Sequence, residues 1–219
     1  MWPRSEKQAL SWLGNALPLG YSMLPRGQIA TLVTYLEMSQ RPAAREEGAS
    51  RSRSLDKPYE LRGPLVADLA AYRAIFRRVG EDWLWCSRLT MNDGELRATL
   101  ETPQVEVYVP HLEGRPAGLL ELDFRKRGEC ELAFFGLVRE MIGQGLGRRL
   151  MNDAIDLAFA KPIGRFFVHT CTFDHPGAVD FYRRSGFRPY ALGVEVLEDP
   201  RLSGALPRHA APHVTLVEA

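Results

Sequence analysis

The stretch ELAFFGLVREMIGQGLGRRLMNDAIDLAF, residues 131–159, decides the fold. It begins as an apolar run, passes three alternating glycines at Gly143, Gly145 and Gly147, and continues with apolar residues at helical spacing. Glycines let the backbone take positive φ and approach a ligand closely. The helix that follows offers unpaired N–H groups and the positive end of its dipole. The stretch therefore predicts a strand, a phosphate-binding turn and a helix.

Two common phosphate-binding patterns do not fit this turn. A P-loop has Gly-Lys-Ser/Thr after four spacer residues, and the turn contains no Lys. A dinucleotide fingerprint, Gly-x-Gly-x-x-Gly, requires a glycine where this sequence has Arg148 or Leu150. The third candidate ligand is the pyrophosphate of coenzyme A. A turn that only joins a strand to a helix is the alternative without a ligand.

A second pattern lies one strand later, in HPGAVDFYRRSGF, residues 175–187. Together the two segments resemble the GNAT superfamily of N-acetyltransferases, whose signatures are Arg/Gln-x-x-Gly-x-Gly/Ala and Asn-x-x-Ala-x-x-ϕ-Tyr-x-x-x-Gly-Phe. Two positions depart from these signatures, because Ile142 stands in the Arg/Gln place and His175 in the Asn place. The signatures cover Ile142, Gly143, Gln144, Gly145, Leu146 and Gly147, and then His175, Ala178, Phe181, Tyr182, Gly186 and Phe187.

The resemblance implies an enzyme that transfers an acetyl group from acetyl-CoA directly to a primary amine. It also implies that Tyr182 lies near the coenzyme sulfur and protonates the leaving thiolate. Leu137 and Val138 would supply main-chain hydrogen bonds to the pantetheine arm, and one of their N–H groups would polarise the thioester carbonyl. The residues expected to bind the coenzyme are Leu137, Val138, Ile142, Gly143, Gln144, Gly145, Leu146, Gly147, Arg148 and His175.

Glu131 is the predicted base that removes the proton of the amine. It lies eleven residues before Ile142, the spacing at which the histone-acetylating branch of the superfamily has its glutamate base. The residues that strand alternation places on its face are Ala133, Phe135 and Leu137. A solvent-facing glutamate at the start of a strand is the alternative, and Glu121 and Asp123 on the preceding strand are rival bases.

The remaining pattern predicts an α/β (α+β) fold with a GNAT-like mixed, largely antiparallel sheet flanked by helices. The strand–helix–strand order predicts that the two strands around the glycine-turn helix are parallel, and the resemblance implies that they splay apart at the coenzyme cleft. We expect residues 1–25 to form an N-terminal extension and residues 26–219 a single domain. The predicted elements are an amphipathic helix over 5–17, a strand over 28–38, a polar loop over 39–58, helices over 63–80 and 92–101, a three-stranded meander over 105–138, a helix over 145–160 and a strand over 164–172.

The composition limits the classes of partner. Formal net charge is +1, from 28 basic and 27 acidic residues, so nothing indicates nucleic acid or an anionic membrane surface. Three cysteines without a Cys-x-x-Cys pattern do not predict a disulfide framework and fit a reducing compartment. The N-terminus has no long apolar core after a basic start, and no run reaches the length of a membrane span. We therefore expect a cytoplasmic protein.

Other groupings of residues indicate less. His169, Cys171 and His175 lack a fourth ligand at regular spacing, so no metal is expected. Cys171 with a histidine base would make a covalent route, which direct transfer does not need. Trp83 and Trp85 either line the acceptor pocket or belong to the core. The acceptor is a small-molecule or peptide amine, and a homodimer stays open. A catalytically silent acyl-CoA-binding domain of the same fold is the alternative function.

Overall fold

A computed structural model describes residues 17, 19–42, 58–63 and 68–218. The helix predicted over 5–17, apart from its last residue, and most of the loop predicted over 39–58 lie outside these residues. Within them, no helix is long and apolar enough to cross a membrane.

A mixed sheet forms the centre of the described structure. Its strands run in the order β2-β3-β5-β6-β7-β1-β8, with β4 paired to β3 outside this path. Neighbouring strands are antiparallel, except β6 and β7, which are parallel. This confirms the predicted fold class. The strands are β1 (Gln28–Met38), β2 (Tyr59–Arg62), β3 (Val105–Leu112), β4 (Arg115–Pro116), β5 (Gly118–Asp123), β6 (Glu129–Leu137), β7 (Arg165–Cys171) and β8 (Arg188–Glu198).

Helices cover both faces of the sheet. One face packs on α4 and α5 through a core that includes Leu120, Leu132 and Leu150. The other face packs on α1 and α3 through a core that includes Phe76 and Leu119. The helices are α1 (Leu69–Gly80), α2 (Ser87–Thr90), α3 (Asp93–Leu100), α4 (Leu146–Phe159) and α5 (Ala178–Ser185).

The first described helix begins later than the sequence predicted. Asp68 has an extended backbone, with φ −90° and ψ 100°, and its side chain accepts the N–H of Ala71. Aspartate is a favoured N-cap because its carboxylate satisfies a free N–H of the first turn. The cap therefore fixes the start at Leu69, and the predicted start at residue 63 is wrong. The capping box predicted for α3, between Asn92 and Glu95, is confirmed.

The order of elements along the chain did not predict where β1 lies in the sheet. β1 lies between β7 and β8 and is antiparallel to both, with Tyr35 opposite His169 and Thr31 opposite Glu195. One face of β1 is buried, at Ile29, Thr31 and Val33, whereas Ala30 and Leu32 on the other face are exposed. At the opposite edge of the sheet, β2 pairs with β3, the first strand of the meander. The strand predicted over 28–38 therefore lies beyond β7, and the meander lies on the β6 side of the β6–β7 pair.

Candidate active site

The two parallel strands separate along most of their length. β6 and β7 pair only at Glu129–Arg165, Cys130–Phe166 and Glu131–Phe167. β6 continues to Leu137, and within the described residues no strand pairs with its second half on that edge. This confirms the predicted splay. We call the space between the two strands beyond Glu131 the gap.

The edge of β6 that borders the gap presents main-chain groups. The N–H of Val138 donates to the carbonyl of Ala117 at 2.9 Å, so Leu137 and Gly118 form a pair that does not exchange hydrogen bonds. The N–H and C=O of Leu137 therefore point away from β5 and into the gap. By the same alternation, the main chain of Phe135 also points there.

Val138 does not fit the role that the sequence assigned to its main chain. Its N–H bonds Ala117, and its C=O accepts the N–H of Met141 at 2.9 Å. Both groups are therefore used inside the protein. The prediction that either residue of the pair 137–138 offers an N–H to the coenzyme is wrong for Val138, because a strand directs alternate N–H groups to opposite edges.

The glycine turn lies at the outer end of this edge. Gly143 and Gly145 have φ of +82° and +86°, and a Cβ built on either would meet no heavy atom within 4 Å. α4 begins at Leu146, and no side chain caps its first N–H groups. These donors and the open space above the glycines make a site that an anion of diphosphate size fits.

Side chains around the turn have separate arrangements. Arg148 is exposed in the first turn of α4. Arg149 stacks instead on the ring of Tyr59, 4.1 Å from its centroid. Gln144 donates to the carbonyl of Glu140 at 2.6 Å, and Ile142 is 39% exposed. Arg149 is therefore held against Tyr59, whereas Arg148 is the exposed arginine of the first turn.

Tyr182 lies on α5 and is buried among aromatic rings. Its ring contacts Phe135 and Phe187, with centroids 6.3 and 5.8 Å apart. Burial, and secondarily the charge of Asp174, raise the pKa of the Tyr182 phenol. The phenol thus stays protonated at neutral pH and lies beside a residue whose main chain faces the gap.

His175 has a structural contact at the position where the family signature has Asn. Its Nδ1 accepts the N–H of Gly177 at 3.0 Å, and its ring lies edge-on to Trp83 with centroids 5.7 Å apart. An Asn side chain accepts the N–H two residues on in the same way. The substitution of Asn by His therefore keeps this turn before α5.

A β-bulge changes which residues share the face of Glu131. Leu132 pairs with Leu122 and Phe134 with Glu121, so Ala133 is the extra residue. Because a bulge reverses the alternation, Glu131 shares its face with Phe134, and the predicted grouping of Glu131 with Phe135 and Leu137 is wrong. Its side chain is 30% exposed, and its Oε1 lies 3.5 Å from Nδ1 of His169.

The two rival carboxylates on β5 are both held by arginines. Glu121 is fully buried, accepts the hydroxyl of Tyr72 at 2.5 Å and pairs with Arg88. Asp123 accepts two bonds from Nε of Arg125, at 2.9 and 2.8 Å. Both act as structural ion pairs, so Glu131 is the more accessible of the three predicted candidates.

Asp174 is a carboxylate at the gap that sequence reasoning missed. Its Oδ2 accepts the hydroxyl of Thr170 at 2.7 Å and the N–H of Cys171 at 2.9 Å. Its Oδ1 accepts the indole N–H of Trp85 at 3.3 Å. It lies in the loop after β7, outside both signatures, and its Trp85 partner is 89 residues away in sequence. No local pattern could have indicated it.

Trp85 forms an aromatic wall on the α1 side of the gap. Its ring packs on Phe134 and Phe76, with centroids 5.3 and 5.6 Å apart. Gly136 permits this contact, because a Cβ there would lie 2.5 Å from Cγ1 of Val79 and 3.2 Å from Trp85. Trp83 lies farther out, against His175 and against His213 of the C-terminal tail.

Cys171 is not arranged as a nucleophile. Burial, and secondarily the charge of Asp174, raise the pKa of its thiol, which disfavours the reactive thiolate. Among the residues that the structure describes, no three His, Cys, Asp or Glu side chains come together as metal ligands would.

Comparison with known proteins identifies the family. Residues 72–187, more than half of the chain, match the model of the acetyltransferase (GNAT) family. The chain therefore belongs to this family of acetyltransferases. A search of curated proteins finds no match.

Solved structures are similar to this chain at low sequence identity. A GCN5-related N-acetyltransferase from Sphaerobacter thermophilus has a TM-score of 0.53 and 15% identity, over 89% of this chain and 56% of that one. A putative GNAT-family acetyltransferase from Novosphingobium aromaticivorans has a TM-score of 0.51 and 15% identity, over 80% and 68%. A functionally unknown protein from Staphylococcus epidermidis has a TM-score of 0.49 and 12% identity, over 79% and 63%. The match thus spans 56% to 68% of the length of these relatives.

Proposed function

We propose that this protein is an acetyl-CoA-dependent N-acetyltransferase that acts by direct transfer on a primary amine of a small molecule or peptide. The observation that carries the proposal is the gap itself. The glycine turn and the free edge of β6 approach it from the α4 side, and Trp85 with two carboxylates, Glu131 and Asp174, approaches it from the α1 side.

The donor is acetyl-CoA. Its pyrophosphate binds the turn from Ile142 to Gly147 and the first N–H groups of α4, with Arg148 as the added cation. Its pantetheine arm lies along the edge of β6 and bonds the main chain of Leu137, as an added strand would. His175 supports the coenzyme side by holding the turn before α5.

The reaction follows from these positions. The neutral amine nitrogen attacks the thioester carbon, and an edge N–H of β6 stabilises the oxyanion. Glu131, or a water it orders, takes the proton of the amine. The C–S bond then breaks, and Tyr182 gives its proton to the departing thiolate, so the products are an N-acetyl compound and coenzyme A.

The setting of the enzyme completes the proposal. Cys86, Cys130 and Cys171 are free thiols, which suits the reducing cytoplasm.

Two measurements test the proposed function together. A thermal-shift series with acetyl-CoA, ATP and NAD should show stabilisation by acetyl-CoA alone, about 2.7 kcal/mol at 100 times the Kd. A thiol-release assay against a panel of primary amines should then show turnover. Stabilisation by ATP or NAD instead would overturn the coenzyme assignment. Stabilisation by acetyl-CoA with no turnover on any amine would favour the catalytically silent alternative.

A further inference from the structure

We infer that Asp174 is the acceptor-binding carboxylate of this enzyme: it receives the ammonium group of the acceptor beside Trp85 and selects amines over neutral nucleophiles. This inference rests on the proposed function. It adds a binding residue on the acceptor side, while Glu131 keeps its role as the base.

The hydrogen bonds of Asp174 leave its charge uncompensated. Its three donors, from Thr170, Cys171 and Trp85, are all neutral. None of the ion pairs among the described residues includes Asp174, whereas Glu121 and Asp123 are each paired with an arginine. A carboxylate that is partly buried without a cation is costly unless a ligand supplies one.

The carboxylate also has an acceptor position to spare. Two carboxylate oxygens offer about four lone-pair sites. Oδ2 uses two of them on Thr170 and Cys171, and Oδ1 uses one on Trp85 at the long distance of 3.3 Å. One site on Oδ1 therefore remains for an N–H of an ammonium group.

The surroundings of Asp174 match an ammonium with an apolar body. Trp85 and Phe134 are half-buried and form an adjoining aromatic surface. Aromatic faces attract cations and also cover apolar groups. Asp174 lies in the loop that leads into α5, the helix that carries Tyr182, and its charge contributes, after burial, to the raised pKa of that phenol. In this proposal, the amine held by Asp174 lies next to the proton donor.

A purely structural role is the competing explanation. Asp174 closes a tight turn with Cys171, and its bonds hold the loop after β7. The Asp174→Asn variant removes the charge, but it also alters these bonds. Thr170→Val is the matched control, because it removes the 2.7 Å bond to the loop carboxylate and leaves the charge in place.

The test compares two ligands with the same carbon skeleton, one with a cationic ammonium group and one with a neutral hydroxyl group. 2-Phenylethylamine and 2-phenylethanol are titrated by calorimetry at about pH 7 into the complex with coenzyme A, which cannot turn over. We expect the wild-type complex and Thr170→Val to bind the amine at least about 10-fold more tightly than the alcohol. Asp174→Asn should bind the two within about 2-fold of each other.

The possible outcomes distinguish failure of the proposed function from failure of the role of Asp174 alone. If wild-type protein does not bind coenzyme A at all, the proposed function fails first. If it binds coenzyme A but does not prefer the amine, or if Asp174→Asn keeps the wild-type preference, only the role of Asp174 is overturned. A loss of preference in Thr170→Val as well would assign the effect to the loop rather than the charge.

Discussion

The sides of the gap that we propose for the donor and for the acceptor are built from different kinds of chemical group. The proposed donor side presents main-chain groups: the edge of β6 at Leu137, the glycine turn and the first N–H groups of α4. The acceptor side uses side chains from distant segments, such as Asp174 with Trp85. A ligand that never changes can be bound by backbone geometry. A ligand that differs between enzymes requires side chains that can be exchanged.

Buried charge is the sharpest physical difference between the two sides. Arg88 and Glu121 are 10% and 0% exposed and lie beneath Phe134 on the acceptor side. Arg88→Met should leave Glu121 buried without its cation and lower the free energy of unfolding by about 3–5 kcal/mol. Urea denaturation at neutral pH measures this loss.

Two further variants test whether the loss of stability comes from the unpaired buried charge. Arg88→Met with Glu121→Gln removes both charges, while the amide still accepts the hydroxyl of Tyr72, so we expect much of the stability to return. Arg149→Met makes the same substitution on the donor side, where the arginine is exposed, and should cost less than about 1 kcal/mol. Equal losses at Arg88 and Arg149 would contradict the contrast between the sides.

The second prediction concerns the step at which the two sides meet. Tyr182→Phe keeps the ring packed on Phe135 and removes only the hydroxyl. If that hydroxyl protonates the thiolate, kcat should fall about 100-fold or more with the affinity for coenzyme A unchanged. Tyr108→Phe is the control, because it removes a hydroxyl that bonds Glu106 at 3.0 Å. An unchanged kcat in Tyr182→Phe would remove this residue from the mechanism.

The donor side could be predicted from sequence because its chemistry is local. The glycines, the following helix and the preceding strand form one continuous stretch, and glycine is the residue that positive φ favours. The strand–helix–strand order also predicted that β6 and β7 are parallel, whereas their splay was implied by the family resemblance. The prediction for Val138 failed because the edge that an N–H group faces depends on how the neighbouring strand pairs, which a local pattern does not show.

The acceptor side could not be predicted for the opposite reason. Asp174 is identified as a candidate by its bond to Trp85, 89 residues earlier, and by its position after the end of β7. The face of Glu131 depends on a bulge at Ala133, which inserts one residue without a turn signal in the sequence. The insertion of β1 between β7 and β8 is likewise a long-range pairing. A local sequence pattern predicts which residues form a strand, but it does not determine which other strands pair with that strand.

A third prediction tests whether the donor side depends on backbone shape alone. Gly145→Ala adds a methyl group where φ is +86° and where the coenzyme phosphate would lie. We expect about 1–2 kcal/mol of backbone strain and about a 10-fold weaker Kd for coenzyme A. Gly128→Ala, at φ +77° with open space around it, should show the strain but no change in Kd. Calorimetric titration separates the two effects, and a similar loss of affinity in both variants would count against the turn as the phosphate site.

The smallest expected effect tests whether His175 acts only by holding the backbone turn before α5. Its Nδ1 holds the N–H of Gly177, and an Asn side chain can accept the same N–H. His175→Asn should therefore change the free energy of unfolding by less than about 0.5 kcal/mol and the Kd for coenzyme A by less than about 2-fold. His175→Ala removes the acceptor and should cost about 1 kcal/mol, since the N–H of Gly177, just before α5, loses its partner. Thermal unfolding and calorimetry on the two variants give both values. A Kd that is more than about 10-fold weaker in His175→Asn would mean that the imidazole itself contacts the coenzyme, and the donor side would then depend on a side chain as the acceptor side does.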